Sequence, residues 1–127
     1  MNDAQYASHC HKLLEQFAAT MTKRMEHLPA GDSLRELAER FTALGMGEGD
    51  LYLDGPGLIS RLFTTYPDFA PTFPRDLLWF LGGECLHYMP DEEISAYQKL
   101  DDLRAEAAQK GEILNMRDAR ASLMGLQ

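Results

Sequence analysis

One stretch of the chain, residues 73–90, limits what this sequence can fold into. Within it, five large apolar residues follow one another from Leu77 to Leu81. A helix through such a run has no polar face to turn toward water, so it has to be buried on all sides. With a length of 127 residues, the sequence predicts an all-α fold in a single helical domain over 1–127. We expect a compact bundle of five to six helices around a buried central helix at about 74–89.

Helical periodicity supports this fold class before the central stretch. Between about residues 3 and 28, apolar residues recur at steps of three and four, the spacing of one helix face. A second helix is expected to begin at Ser33, because Ser33 and Glu36 have the spacing of a capping box. The segment 51–53 is predicted to be short and extended, with a third helix only from about Leu58.

Start and stop signals also mark the helices after the central stretch. Asp91 and the two acids after it suit the positive end of a helix, and Gly111 suits its end. Asn115 is a plausible cap for a short last helix. Inside the central helix, Gly82 and Gly83 each cost about 1 kcal/mol relative to Ala. We therefore expect either a kink there or another helix that crosses close to the two glycines.

The charge balance argues against nucleic acid and membrane as partners. The formal net charge is −8, with 9 acids and 6 bases in residues 1–63 and 11 acids and 6 bases in residues 64–127. No basic patch emerges that could bind phosphates. No run approaches the roughly 18 apolar residues of a membrane span, and residues 1–5 do not resemble a signal peptide. The sequence predicts a soluble, acidic, cytoplasmic protein.

The two cysteines, Cys10 and Cys85, lie far apart in the chain, and both fall on predicted apolar helix faces. Two distant cysteines do not make a disulfide framework. We expect both to be buried thiols, which behave as small hydrophobic groups. A redox pair would require the first and the central helix to touch at these two positions.

A metal site is one functional hypothesis. The motif Glu84-x-x-His87 places a carboxylate and an imidazole one helical turn apart, as in helical proteins that bind metals between facing helices. His11 and Glu15 share a face of the first helix and are the candidate partners. The neighbouring His9 points elsewhere, because adjacent helical residues diverge by about 100 degrees. The alternative interpretation is that Glu84 and His87 are ordinary surface residues.

An interface is the other hypothesis. The chain has seven Met, and aromatic residues lie in or beside predicted loops. Rigid aromatic anchors and adaptable Met side chains are typical of protein interfaces. The candidate interface or ligand residues are Phe69, Phe73, Trp79, Gly82, Gly83 and Tyr88, with Tyr52 as a further exposed aromatic. The alternative is that these residues belong to an ordinary core.

The favoured function is therefore a non-enzymatic interaction, regulatory or adaptor protein, acting as a homodimer or with another protein. The first alternative is a metal-binding enzyme or sensor that uses Glu84, His87, His11 and Glu15. The second is a binder of a small apolar ligand beside Trp79. No catalytic residue is assigned and no cofactor is expected, a transition metal being the exception that the first alternative requires.

Overall fold

The computed structural model describes residues 1–124, which form α-helices and two short 3-10 helices, with no β-strand among them. The α-helices are α1 (Asp3–Met25), α2 (Ser33–Gly45), α3 (Leu51–Thr65), α4 (Arg75–Leu81), α5 (Asp91–Gln109) and α6 (Met116–Met124), and the 3-10 helices are Pro67–Phe69 and Gly83–Tyr88. The predicted all-α class is confirmed. Within the same residues, every helix is too short or too polar to span a lipid bilayer.

The chain divides into two compact units. One consists of His9–Tyr88, and the other of Met1–Ser8 together with the chain from Met89 onward. Helix α1 contributes its first residues to the second unit and the remainder to the first. One domain over 1–127 remains a prediction.

The unit His9–Tyr88 contains most of α1, together with α2, α3, α4 and both 3-10 helices. Its largest fully buried side chains are Leu14, Met21, Leu37, Phe41, Ile59, Leu62, Phe63, Phe73, Leu77 and Leu78. These residues come from all four helices and from the loop before α4. The apolar stripe that the periodicity predicted on α1 therefore faces this core, to which α2 also contributes.

Helix α2 begins where the sequence predicts, but with a different cap. The carboxylate of Asp32 accepts a hydrogen bond from the backbone N–H of Leu34 at 2.9 Å. Ser33, the predicted cap, instead lies with its hydroxyl 2.6 Å from the Tyr66 hydroxyl. The predicted capping box is therefore wrong by one residue, because either Asp or Ser can fill the cap position and a distant tyrosine holds the serine.

Helix α3 begins seven residues earlier than the predicted start at Leu58. Asp50 caps it, because its carboxylate accepts from the N–H groups of Tyr52 and Leu53 at 2.9 and 3.0 Å. The helix continues through Pro56. The predicted extended segment 51–53 is thus the first turn of α3, and the aspartate cap outweighs the helix-breaking tendency of the Gly-Pro-Gly sequence.

The predicted central helix at about 74–89 exists as two pieces. Helix α4 ends at Leu81, and a 3-10 helix continues from Gly83 to Tyr88. Leu77, Leu78 and Leu81 are buried, whereas Trp79 is only half-buried. The expectation of one helix buried on all sides therefore needs correction: the chain breaks at the glycines and α4 is partly open.

In the second unit, α5 packs against α6. The Arg104 guanidinium lies 4.2 Å from the centre of the Tyr6 ring and 2.7 Å from the Asp101 carboxylate. Gly111, with φ +70°, follows α5. The Asn115 side chain accepts from the N–H of Asp118 at 3.1 Å. The predictions that Gly111 ends α5 and that Asn115 caps the start of α6 are therefore confirmed.

Candidate functional site

An aromatic cluster lies in the core of the unit His9–Tyr88. The Phe17 ring of α1 meets the rings of Phe41 and Phe73 edge to face, with centres 5.4 and 4.7 Å apart. The Phe69 ring lies 6.5 Å from Phe17 in the same geometry, and Phe63 continues the cluster at 5.3 Å from Phe73. Edge-to-face pairs of this kind add to the stabilisation from burial. The cluster thus fixes the segment 66–74 against α1.

A groove of about 300 Å³ opens on this cluster, between α1 and the segment 69–74. We call it the Phe17 groove. Its lining consists of Leu13, Gln16, Phe17, Thr20, Met21, Arg24, Phe69, Thr72 and Pro74. The α1 residues in this set recur at steps of three and four, so they form one helix face. The apolar side chains make a floor, and polar side chains lie along the rim.

Phe69 and Phe73, two of the predicted interface residues, have different positions. Phe69 is half-buried and lines the Phe17 groove. Phe73 is 1% exposed, so its ring belongs to the core and cannot contact a partner directly. Phe73 therefore supports the floor of the groove from beneath through Phe17.

Gly82 and Gly83 allow two close contacts. A Cβ atom at Gly82 would come within 2.9 Å of Leu78 Cδ1 and 3.1 Å of Leu86 Cδ2. Gly83 has φ +54°, and a Cβ there would come within 3.3 Å of Pro56 Cβ on α3. Both alternatives expected for the glycines, a break in the helix and a close crossing, therefore occur.

The two remaining candidate interface residues are partly accessible. Tyr88 is 38% exposed, and its ring packs on Phe63 with the ring centres 5.1 Å apart. Trp79 is half-buried and does not line the Phe17 groove. The Phe17 groove is therefore not the ligand site predicted beside Trp79, which remains a prediction.

Glu84 and His87 are both exposed and lie on the second 3-10 helix. Residues three apart are nearly eclipsed in such a helix, so the two share an edge. The His87 Nδ1–H donates to the Glu84 carbonyl oxygen. The other two candidate ligands, His11 and Glu15, contact each other. His11 Nε2 lies 2.9 Å from Glu15 Oε1 and 3.0 Å from the Gly45 carbonyl oxygen.

No group of three or more His, Cys, Asp or Glu in the described part of the chain could hold a metal ion. The four residues of the metal hypothesis are therefore not assembled into a site among residues 1–124. The His11 N–H faces two protein acceptors, which in that tautomer leaves this nitrogen without a lone pair for a metal. The structure gives the metal hypothesis no support.

A hydrogen bond between His9 and the buried Asp76 is a feature that the sequence did not reveal. Asp76 is 5% exposed, and its Oδ2 accepts from His9 Nε2 at 2.9 Å. The thiol of Cys10 lies 3.7 Å from the Asp76 carbonyl oxygen. The sequence contained one signal for the burial of Asp76, which directly precedes the apolar run. A helix that is buried on most sides also buries its polar residues.

Both cysteines are free and buried, as expected. Burial raises the pKa of the Cys85 thiol above its usual value; a hydrogen bond from Ser60 opposes this increase, and the charge of Glu84 adds to it. The neutral thiol is thus favoured, and a neutral thiol is a poor nucleophile. Cys85 has the properties of a core residue.

An exposed apolar segment, residues 46–53, consists of the connection from α2 to α3 and the first turn of α3. Met46, Tyr52 and Leu53 in this segment are 77%, 62% and 79% exposed. The Tyr52 ring packs against the Phe80 ring, with the ring centres 5.6 Å apart. The sequence did not indicate Leu53 and Met46 as contact residues. In a predicted loop, an exposed apolar side chain cannot be distinguished from one that is buried.

These features define an all-α protein with an apolar groove and an exposed apolar segment. The chain belongs to the PA2817-like family, whose model matches residues 1–127. No curated protein and no solved structure matches the chain.

Proposed function

We propose that this protein is a non-enzymatic interaction or regulatory protein that acts as a homodimer. The observation that carries the proposal is the exposed apolar segment 46–53. Isolated exposed apolar side chains are ordinary on protein surfaces. Three large ones within eight residues concentrate exposed apolar side chains in one short segment, and exposed apolar surface beyond isolated side chains is typical of contact surfaces.

The exposed apolar segment is held in one conformation by its own hydrogen bonds. The Asp50 carboxylate accepts from the first N–H groups of α3, and the Asp54 carboxylate accepts from the Asp50 N–H at 2.8 Å. Gly47 and Gly49 supply positive φ angles of 90° and 83°, which complete the turn. A surface that is already ordered loses less conformational entropy when it binds.

The charges near this segment are compatible with self-association. Asp50 and Asp54 lie at the N-terminus of α3, where the helix dipole offsets negative charge. Both carboxylates are also engaged by backbone N–H groups. The backbone therefore compensates two of the three acids in residues 46–54, and the third, Glu48, is exposed. Two free buried thiols fit a reducing compartment, which supports the predicted cytoplasmic location.

The proposal predicts that Leu53→Asp converts the dimer to a monomer. In a dimer, the new carboxylate at position 53 would be removed from water. This desolvation costs more free energy than burial of the leucine side chain contributes in the wild type. Light scattering after size-exclusion chromatography measures the mass of each variant. The wild-type chain is expected to elute as a dimer, and Leu53→Asp as a monomer with unchanged circular dichroism.

Ile113→Asp is the matched control, because Ile113 is 63% exposed but lies outside the segment. It is expected to remain a dimer. A wild-type chain that is monomeric at about 1 mM, which excludes association stronger than roughly −4 kcal/mol, would contradict the homodimer. A dimer that persists in Leu53→Asp would show that the contact does not depend on residues 46–53.

A further inference from the structure

The Phe17 groove combines an apolar floor with a single cation. Leu13, Phe17 and Phe69 form much of the floor, and Arg24 lies at the end of the α1 face that lines it. Arg24 is exposed, and among residues 1–124 its guanidinium makes no hydrogen bond or ion pair. We propose that this groove binds an amphipathic carboxylate, with an aliphatic chain on the floor and the carboxylate paired with Arg24.

The local charge favours an anion although the chain as a whole carries −8. None of the nine side chains that line the groove is acidic, and Arg24 is the one charged residue among them. A guanidinium presents two parallel N–H donors that match a carboxylate. One monoanionic head group therefore balances the one cation, and the hydroxyl of Thr20 offers a further donor at the rim.

The groove also sets the length of the apolar part. The α1 residues that line it extend from Leu13 to Arg24, which is about 16 Å at 1.5 Å per residue. Because C–C bonds of about 1.5 Å zigzag along an extended chain, each advances the chain by less than its length, and about a dozen carbons cover most of this distance. Fatty carboxylates of about eight to twelve carbons are therefore the expected ligand class, and ligands of this size match the smaller pockets found in proteins.

Isothermal titration with octanoate, decanoate and dodecanoate tests the proposal, each below its micelle concentration. Affinity is expected to rise about fourfold for each added methylene, because each is transferred from water to the apolar floor. Decanol, which has the chain but no charge, is expected to bind about five- to tenfold more weakly than decanoate. Decylammonium is expected to bind more weakly still.

Variants locate the binding in the groove. Arg24→Gln is expected to bind decanoate no better than decanol. Phe69→Ala is expected to lower the affinity for both ligands. Lys23→Gln is the matched control: it removes the same charge from the adjacent residue, which does not line the groove, and it should bind decanoate like the wild type. Circular dichroism confirms that each variant is folded.

Three results would overturn the proposal. The first is equal affinity of the wild-type chain for decanoate and decanol. The second is an equal loss of decanoate binding in Arg24→Gln and Lys23→Gln, and the third is absence of binding by all three carboxylates at about 1 mM. The titration is repeated on Leu53→Asp, where unchanged binding shows that the groove acts independently of the exposed apolar segment.

Discussion

The carboxylate of Asp76 brings a charge into a buried position, where it contacts the ring of His9. The two atoms lie 2.9 Å apart, although the residues are 67 positions apart in the chain. A buried charge needs a partner, because the cost of removing it from water is high. His9 was expected to point away from any site, since helix geometry alone does not show which distant residue a side chain meets.

Cys85 makes stability depend on pH in a defined direction. Because burial raises the pKa of its thiol, the folded chain holds the proton over a pH range in which the unfolded chain has lost it. This contribution to the free energy of unfolding is complete below the usual thiol pKa. It is lost as the pH rises through the raised pKa of the folded state.

We therefore expect the free energy of unfolding to fall as the pH rises above about 8.5, the usual thiol pKa, and to fall less steeply in Cys85→Ala. Urea unfolding at several pH values in this range measures both slopes. Tyrosines and lysines titrate in both proteins, so the difference between the slopes isolates the thiol. Identical slopes would show that Cys85 does not contribute.

At the scale of elements, the break between α4 and the following 3-10 helix is a packing requirement. Gly82 has φ −62° and ψ −32°, which any residue can adopt, so space and not backbone conformation requires glycine there. Gly83 has a positive φ and also lies against Pro56. On α3, a Cβ atom at Gly55 would lie 3.1 Å from Leu81 Cδ1. Gly55 on α3 and Gly83 after α4 thus allow α3 to approach the end of α4 closely.

Gly82→Ala should destabilise the fold by roughly 2 kcal/mol or more, because the added methyl group meets Leu78 and Leu86 in a buried site. Gly57→Ala should stabilise it by about 0.5–1 kcal/mol. Gly57 lies in α3 and is exposed, and a methyl group added there would have no neighbouring atom within 4 Å. Denaturant titration of both variants tests the pair, and a destabilised Gly57→Ala would argue against this account of α3.

At the scale of the whole molecule, the interaction and metal hypotheses differ in what the purified protein contains. We expect native mass spectrometry of untagged protein to show a dimer, and elemental analysis to find less than one transition metal per chain. His87→Ala should change neither result, because His87 and Glu84 are exposed and no third ligand among residues 1–124 joins them. One metal per chain, lost in His87→Ala, would restore the metal hypothesis.

The sequence by itself determined the all-α class, the start of α1 at Asp3 and the ends of α5. These follow from periodicity, acids at helix starts and glycine after helix ends, which act within a few residues. It also indicated Phe69 as a candidate contact residue. Such signals are local, so one sequence suffices to read them.

Only the tertiary structure decided the break at Gly82, the early start of α3, the Phe17 groove and the pairing of His9 with Asp76. Each depends on residues far apart in the chain, and the free energy of such contacts is set by packing and desolvation at a particular place. Phe73 illustrates the difference: the sequence shows an aromatic residue in a loop, and the fold places it in the core at 1% exposure. Leu53 faces outward at 79%, because it lies two positions before the buried Gly55 in α3, which is about 200° around the helix and therefore on the opposite face.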